Sequence, residues 1–318
     1  MTARRFRLIA PPTTSFHSDG SLNLDAVEPL AQLLLDTSVD GVFVAGSTGE
    51  GQSLSTAERM RSAERWVEVT AGTDLEVIVQ VGHNSLPDAV ALAEHAQRIG
   101  ADSIAASSPC YFKPARVEEL IDFLAPVAGA AADLPFYFYE IPPLTQVTLP
   151  MVEFLAKAKP RMPNLIGIKY SNIDLMQMQQ LVRMNEGEFE VLFGSDQQLL
   201  GAVALGACGA VGSTYNFAAP LYRRMLAAFE RGDHDTAREL QAKSVEIVAI
   251  MARYSFLSAC KILLEVLGIE NGPVRAPLRN LTNEQRVELL ADLNEAGVFD
   301  LQKAAACESV APPKVEAN

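Results

Sequence analysis

Eight short runs of β-branched and aromatic residues recur along the chain, separated by stretches long enough for a helix and patterned like one. They are FRLIA (6–10), GVFVAG (41–46), EVIVQVG (76–82), SIAASSP (103–109), PFYFYEI (135–141), LIGIKYS (165–171), EVLFGSD (190–196) and GAVGST (209–214). Such alternation predicts βα units around a parallel sheet. Between the second and third runs, Ser55 and Glu58 have the spacing of a capping box and Gly72 stands at the stop position. Ser85 and Gly100 bracket the next helix in the same way.

Eight units of this size suit either a closed barrel or an open doubly wound sheet. No GxGxxG follows the first strand and no GxxxxGK[ST] occurs, so the phosphate-binding turns typical of nucleotide-binding open sheets are missing. Polar residues also gather at the C-terminal ends of the strands, where barrels place their sites. The expected fold class is therefore α/β, a (β/α)8 TIM barrel over residues 1–232. A C-terminal helical extension is expected over 233–297 and a flexible tail over 298–318.

At 318 residues with 49% hydrophobic and 20% charged residues, the chain has ample material for one large core. A formal charge of −13 argues against nucleic acid or anionic lipid as partner, since both favour clustered Lys and Arg. The apolar run after the opening arginines in MTARRFRLIAPPTTSF is too short for a signal peptide, and no stretch reaches the roughly 18 to 20 apolar residues of a membrane helix. Cys110, Cys208, Cys260 and Cys307 lie far apart and read as reduced thiols, which with the rest predicts a cytoplasmic protein. His17, His83, His95 and His234 show no metal-ligand spacing; they are expected on surfaces and loops, with no bound metal.

One of only eight lysines sits inside the apolar sixth run. Side chains alternate across a strand, so Leu165, Gly167, Lys169 and Ser171 share one face and Ile166, Ile168 and Tyr170 the other. In a barrel the large apolar set faces the helices, which turns Lys169 inward near the C-terminal mouth. Two readings follow. Its stem lies along the wall and its amine snorkels to water, or it is a nucleophile towards a ketone. The second needs a lowered pKa, because at a free pKa near 10.4 only about 0.1% of the amine is neutral at pH 7; a drop of three units corresponds to about 4 kcal/mol. A dry barrel interior can supply that shift, and the resulting imine activates the neighbouring carbon–carbon bond without a metal or other cofactor.

Other strand ends carry polar groups too. Tyr139 ends the fifth run, where core packing is its plain alternative. Gly46, Ser47, Thr48 and Gly49 follow the second run in a loop that is either a simple turn or a backbone nest for a carboxylate.

Together, GSTGE (46–50), YEIP (139–142) and GIK (167–169), in this order and on strands two, five and six, resemble the pyruvate-dependent class I aldolases of the dihydrodipicolinate synthase and N-acetylneuraminate lyase superfamily. The likeness runs from PPTTSFHSDGSLN to SACKILLEVLG. It implies that Lys169 forms the Schiff base, Tyr139 shuttles protons, and Ser47 and Thr48 hold the carboxylate of a 2-keto acid. It also implies that Tyr111 supports the catalytic tyrosine, sometimes across a subunit interface, that the Val211 backbone lies near the imine, and that the assembly is a homotetramer. Leu144 stands where the synthase branch carries an arginine. Ser47, Leu144 and FGSDQQLLGAVALGACGAVGSTYN are similar to the lyase branch, in which the residues matching Gly194, Asp196 and Ser213 contact the sugar tail. Two positions depart from that branch, Gln197 in place of its usual glutamate and Ser171 in place of a common threonine. The implied activity is cleavage of N-acetylneuraminate. The alternatives are another pyruvate-dependent aldolase or dehydratase and, more distantly, a non-catalytic keto-acid-binding barrel.

Overall fold

The computed structural model describes residues 5–301. Eight parallel strands close into a barrel in sequence order: β1 (Arg7–Ala10), β2 (Gly41–Val44), β3 (Glu76–Gln80), β4 (Ser103–Ser107), β5 (Phe136–Glu140), β6 (Leu165–Tyr170), β7 (Glu190–Phe193) and β8 (Gly209–Val211). Closure comes from β1 against β8, with Arg7, Leu8 and Ile9 opposite Gly209, Ala210 and Val211. All eight expected strands are present.

Alternation sorts the side chains into two layers. Ile9, Phe43, Ile78, Ala105, Tyr137, Tyr139, Leu192 and Val211 fill the barrel interior. Val42, Val44, Val77, Val79, Phe138, Ile168 and Tyr170 face outward into the layer between sheet and helices. Strand β6 breaks the expected parity in its lower half. The β5–β6 register shifts between Phe136 and Tyr137, whose partners are Leu165 and Gly167. The extra residue reverses the pleat, so Leu165 belongs to the outer layer and Ile166 packs against the inner one. Above the irregularity the alternation resumes, which preserves the inward direction of Lys169.

The barrel floor is polar. Arg7 reaches Glu76 at 3.1 Å, Glu190, and the Tyr137 hydroxyl at 3.1 Å, and that hydroxyl donates to Glu190 at 2.6 Å. Gly167 lets β7 approach closely, because a Cβ there would overlap the Glu190 backbone carbonyl.

The helices around the barrel are α1 (Val27–Asp36), α2 (Thr56–Thr70), α3 (Leu86–Ile99), α4 (Val117–Gly129), the short α5 (Pro142–Thr145), α6 (Met151–Ala158), α7 (Leu175–Arg183), α8 (Leu199–Ala204) and α9 (Tyr215–Glu230). The Ser55/Glu58 capping box forms as the spacing predicts, and Ser85 caps α3. Gly100 closes α3 in the left-handed conformation, and Gly72, at φ +79°, adopts the same conformation just beyond α2. His95 corrects the expectation of surface histidines: it is buried on α3, with Nε2 2.8 Å from Glu64.

Three further helices follow: α10 (His234–Ala252), α11 (Phe256–Val266) and α12 (Asn283–Glu295). The stretch 235–268 is not one helix, because α10 and α11 meet at 109° where Ser255 takes an extended conformation and starts the second. Val298 is buried and Phe299 packs on the core, so ordered packing runs past residue 297; residues 302–318 of the expected tail lie outside the described residues. Cys110, Cys208 and Cys260 are free thiols, and Cys307 lies outside the described residues. Among the described residues no single helix is long and apolar enough to cross a membrane, and no group of three His, Cys, Asp or Glu is placed to hold a metal.

Candidate active site

Lys169 is 3% exposed. Its amine therefore does not snorkel to water; it lies 3.8 Å from the centre of the Phe43 ring and 3.9 Å from that of Tyr139. Ring faces attract a cation, but removal from water is the larger effect in so closed a space. Burial drives the lysine pKa well below its ordinary value, and the Asp196 carboxylate opposes this only in part. Burial thus favours the neutral, nucleophilic form of the amine.

Tyr139 is paired in register with Lys169 on the neighbouring strand. Its hydroxyl lies 3.2 Å from Ser47 Oγ. Burial pushes its pKa up to about 12, against the opposing hydrogen bonds of Ser47 and Ser171. It is thus a protonated phenol at neutral pH, able to give a proton to one oxygen while accepting from another.

The loop after β2 turns sharply to present its hydroxyls. Ala45 and Glu50 are both left-handed, at φ +57° and +51°, and a Cβ on Gly51 would overlap the Ala45 carbonyl. Thr14 donates to the Gly49 carbonyl at 2.6 Å, and Thr48 Oγ1 lies 2.7 Å from Ser213 Oγ, which ties this loop to those after β1 and β8. Ser47 and Thr48 stand side by side at the mouth with the chemistry to hold a carboxylate.

Across the barrel, Gly194 lies against Ser171, whose hydroxyl would be overlapped by any Cβ at 194. Asp196 is buried and accepts two hydrogen bonds from Thr214, from the backbone N–H at 2.9 Å and the hydroxyl at 2.6 Å. The Thr214 hydroxyl continues to Tyr222 and Ser244, at 2.6 and 2.8 Å. One Asp196 oxygen is therefore fully occupied and the group has little freedom to turn. Gly212 is small because a Cβ there would overlap this carboxylate. Val211 contributes its side chain to the inner layer beside Tyr139, and Gln197 is exposed at the rim.

A cleft opens on Ser47 and Tyr139 and is lined further by Gln52, His83, Asn84 and Leu144. Tyr111 stands apart from these groups. It is 78% exposed, its ring packs edge-on against Phe112 at 4.9 Å, and its N–H donates to Asn84 at 3.1 Å. The structure thus brings Lys169, Tyr139, Ser47 and Ser171 into one group, joins Thr48 to Ser213 beside it, and leaves Tyr111 and Gln197 at the surface.

Three contributors were missed in the sequence. Phe43, which forms the floor under the amine, was accessible by applying the same alternation to β2. Thr214, the holder of Asp196, follows Ser213 directly. Glu140 sits on the opposite face of β5 from Tyr139, buried, with Asn172 donating to Oε1 at 2.9 Å. Burial pushes its carboxyl up to about 7, Asn172 opposing and Asp174 assisting; no local pattern announces it.

The chain has relatives among known proteins. It is 42% identical over 274 residues to N-acetylneuraminate lyase A of Xenopus laevis, covering 85% of this chain and 90% of that protein. The N-acetylneuraminate lyase structure from Proteus mirabilis superposes with a TM-score of 0.90 at 36% identity, over 93% of this chain and 99% of the other. That of Aliivibrio salmonicida, a sialic acid aldolase, also reaches 0.90, at 37% identity over 93% and 98%. Residues 5–296 match the model of the dihydrodipicolinate synthetase family, and with a closed barrel carrying an inward lysine beside a tyrosine, this chain belongs to that family.

Proposed function

We propose that the protein is a Schiff-base aldolase that cleaves N-acetylneuraminate reversibly to N-acetylmannosamine and pyruvate. The observation that carries this reading is the buried, charge-disfavoured amine of Lys169 between the rings of Phe43 and Tyr139. The relatives named for the same reaction support the substrate.

The neutral amine of Lys169 adds to the C2 ketone of the open-chain sugar acid; loss of water leaves an iminium ion. Ser47 and Thr48 hold the carboxylate, and the backbone of Val211 borders the imine. Tyr139, with the substrate carboxylate, takes the proton from the C4 hydroxyl as the C3–C4 bond breaks. The electron pair of that bond moves into the iminium to give an enamine, and N-acetylmannosamine leaves. Protonation at C3 and addition of water release pyruvate and restore the amine. Gly194, Asp196, Gln197, Ser213 and Ser171 form the rim facing the sugar tail, where Asp196 is fixed by Thr214.

Gln197 favours a second reading, a relative acting on another 2-keto-3-deoxy sugar acid. A neutral amide cannot supply the charge-assisted hydrogen bond of a glutamate, worth about 1.5 to 3 kcal/mol. Pyruvate release from N-acetylneuraminate compared with 2-keto-3-deoxygluconate separates the two. The lyase reading predicts preference for the first, and preference for the second replaces it.

We further propose a homotetramer in which Tyr111 reaches a neighbouring site. Support comes from the adjacent exposed rings of Tyr111 and Phe112, 78% and 86% exposed. A cytoplasmic location is supported by the free thiols, which suit a reducing compartment.

A further inference from the structure

The loop that presents Ser47 and Thr48 ends in Glu50, a residue the mechanism does not use. Glu50 is left-handed at φ +51° and its side chain is fully buried. Its carboxylate lies 2.7 Å from the amine of Lys261 on α11, itself only 2% exposed, and accepts the backbone N–H of Arg275 at 2.8 Å. Lys261 also donates to the Pro273 carbonyl at 2.7 Å. The Arg275 guanidinium bonds to the Ser53 carbonyl at 3.1 Å and pairs with Glu58, the residue that completes the α2 capping box. Both cations lie over the ring of Phe16, at 4.3 and 4.2 Å. The helical extension thus holds the segment that follows β2 at Glu50, Ser53 and Glu58.

Burying an ion pair so completely is a poor route to stability, since desolvation consumes most of the attraction. Its value lies in direction: a dry pair with a fixed partner allows the loop one position. Glu50 lies two residues beyond Thr48, and Ala45 and Glu50, at either end of the loop, both hold left-handed conformations that need support from their surroundings.

We infer that Glu50 and Lys261 are positioning residues for the carboxylate clamp, through which the C-terminal extension sets the site's preference for a charged 2-keto acid over a neutral ketone. The inference rests on the aldolase reading above. Lys261→Met keeps the apolar stem and removes the charge. Glu50→Gln keeps the shape of the carboxylate and serves if the first variant melts early. Pyruvate differs from methyl pyruvate in lacking nothing but the ester methyl and in carrying the charge, so both present the same ketone to Lys169.

The experiment is borohydride trapping of the full-length protein with each compound, read as the concentration giving half-maximal labelling in variants verified as folded by thermal melting. The expected result is a half-saturating pyruvate concentration raised about tenfold, with the value for methyl pyruvate and the maximal labelling unchanged. Lys261→Arg restores part of the loss. An unchanged ratio between the two compounds in a folded variant, or equal losses for both, overturns the inference while leaving the aldolase reading intact. Failure of the unaltered protein to be labelled by either compound overturns that reading and this one with it.

Discussion

The two ends of the barrel interior treat buried charge in opposite ways. At the floor, Arg7 is surrounded by Glu76, Glu190 and the Tyr137 hydroxyl, so every charge has a partner. At the mouth, Lys169 has two aromatic rings for neighbours and, among the described residues, no carboxylate in ion-pairing contact. The same interior therefore offsets charge by pairing at one end and disfavours it by burial at the other. The charges at the floor are matched in place, whereas the amine at the mouth is costly to the fold and useful for chemistry.

The largest effect that tests this contrast is at Lys169. Lys169→Met should lower pyruvate release by about 10⁴-fold or more, as expected for loss of a nucleophile. It should also stabilise the protein, by ~1 kcal/mol, because the unfolded chain binds a proton that the buried amine refuses. Since the folded pKa is lowered, the stability of the unaltered protein rises with pH until the unfolded lysine also deprotonates, and the variant loses that slope. Thermal melts between pH 6 and 9 read it. Next, Tyr139→Phe should slow turnover by about 10² to 10⁴-fold while Lys169 is still trapped by borohydride, separating imine formation from proton transfer.

At the floor the expectation reverses. Arg7→Met removes the cation that the half-buried Glu76 and Glu190 share and should cost about 2 kcal/mol in urea unfolding, with activity per folded molecule unchanged. A large activity loss there would mean that the two ends are not independent.

The smallest effect concerns Glu140, which sits behind the mouth with its pKa pushed up to about 7. A raised carboxyl favours the fold below its unfolded pKa, and that contribution fades as pH rises through about 7. Glu140→Gln should therefore match the unaltered protein near pH 5 and exceed it near pH 8, by on the order of 1 kcal/mol. Equal gains at both pH values would contradict the assignment.

Much of this was legible before the structure. Strand positions followed from composition, and the direction of Lys169 from alternation, because both depend on local sequence. The lower half of β6 was not legible: the shift that reverses Leu165 and Ile166 arises from register with β5, a property of two strands at once. The break between α10 and α11 was similarly hidden, since no Pro or Gly marks residues 253 to 255. Motifs announced Ser47, Thr48 and Tyr139, but not the contact that ties Thr48 to Ser213, which lies far along the chain and meets it only on barrel closure. Tyr111 shows the converse, for a motif gives the residue without giving the place its side chain reaches in one chain.

The central claim is that the uncharged amine at the mouth is the nucleophile. Borohydride reduction in the presence of pyruvate, followed by peptide mass analysis, tests it most directly. The account predicts one reduced pyruvate adduct, on Lys169, and none in Lys169→Met. An unmodified protein, or an adduct on another lysine, would contradict it.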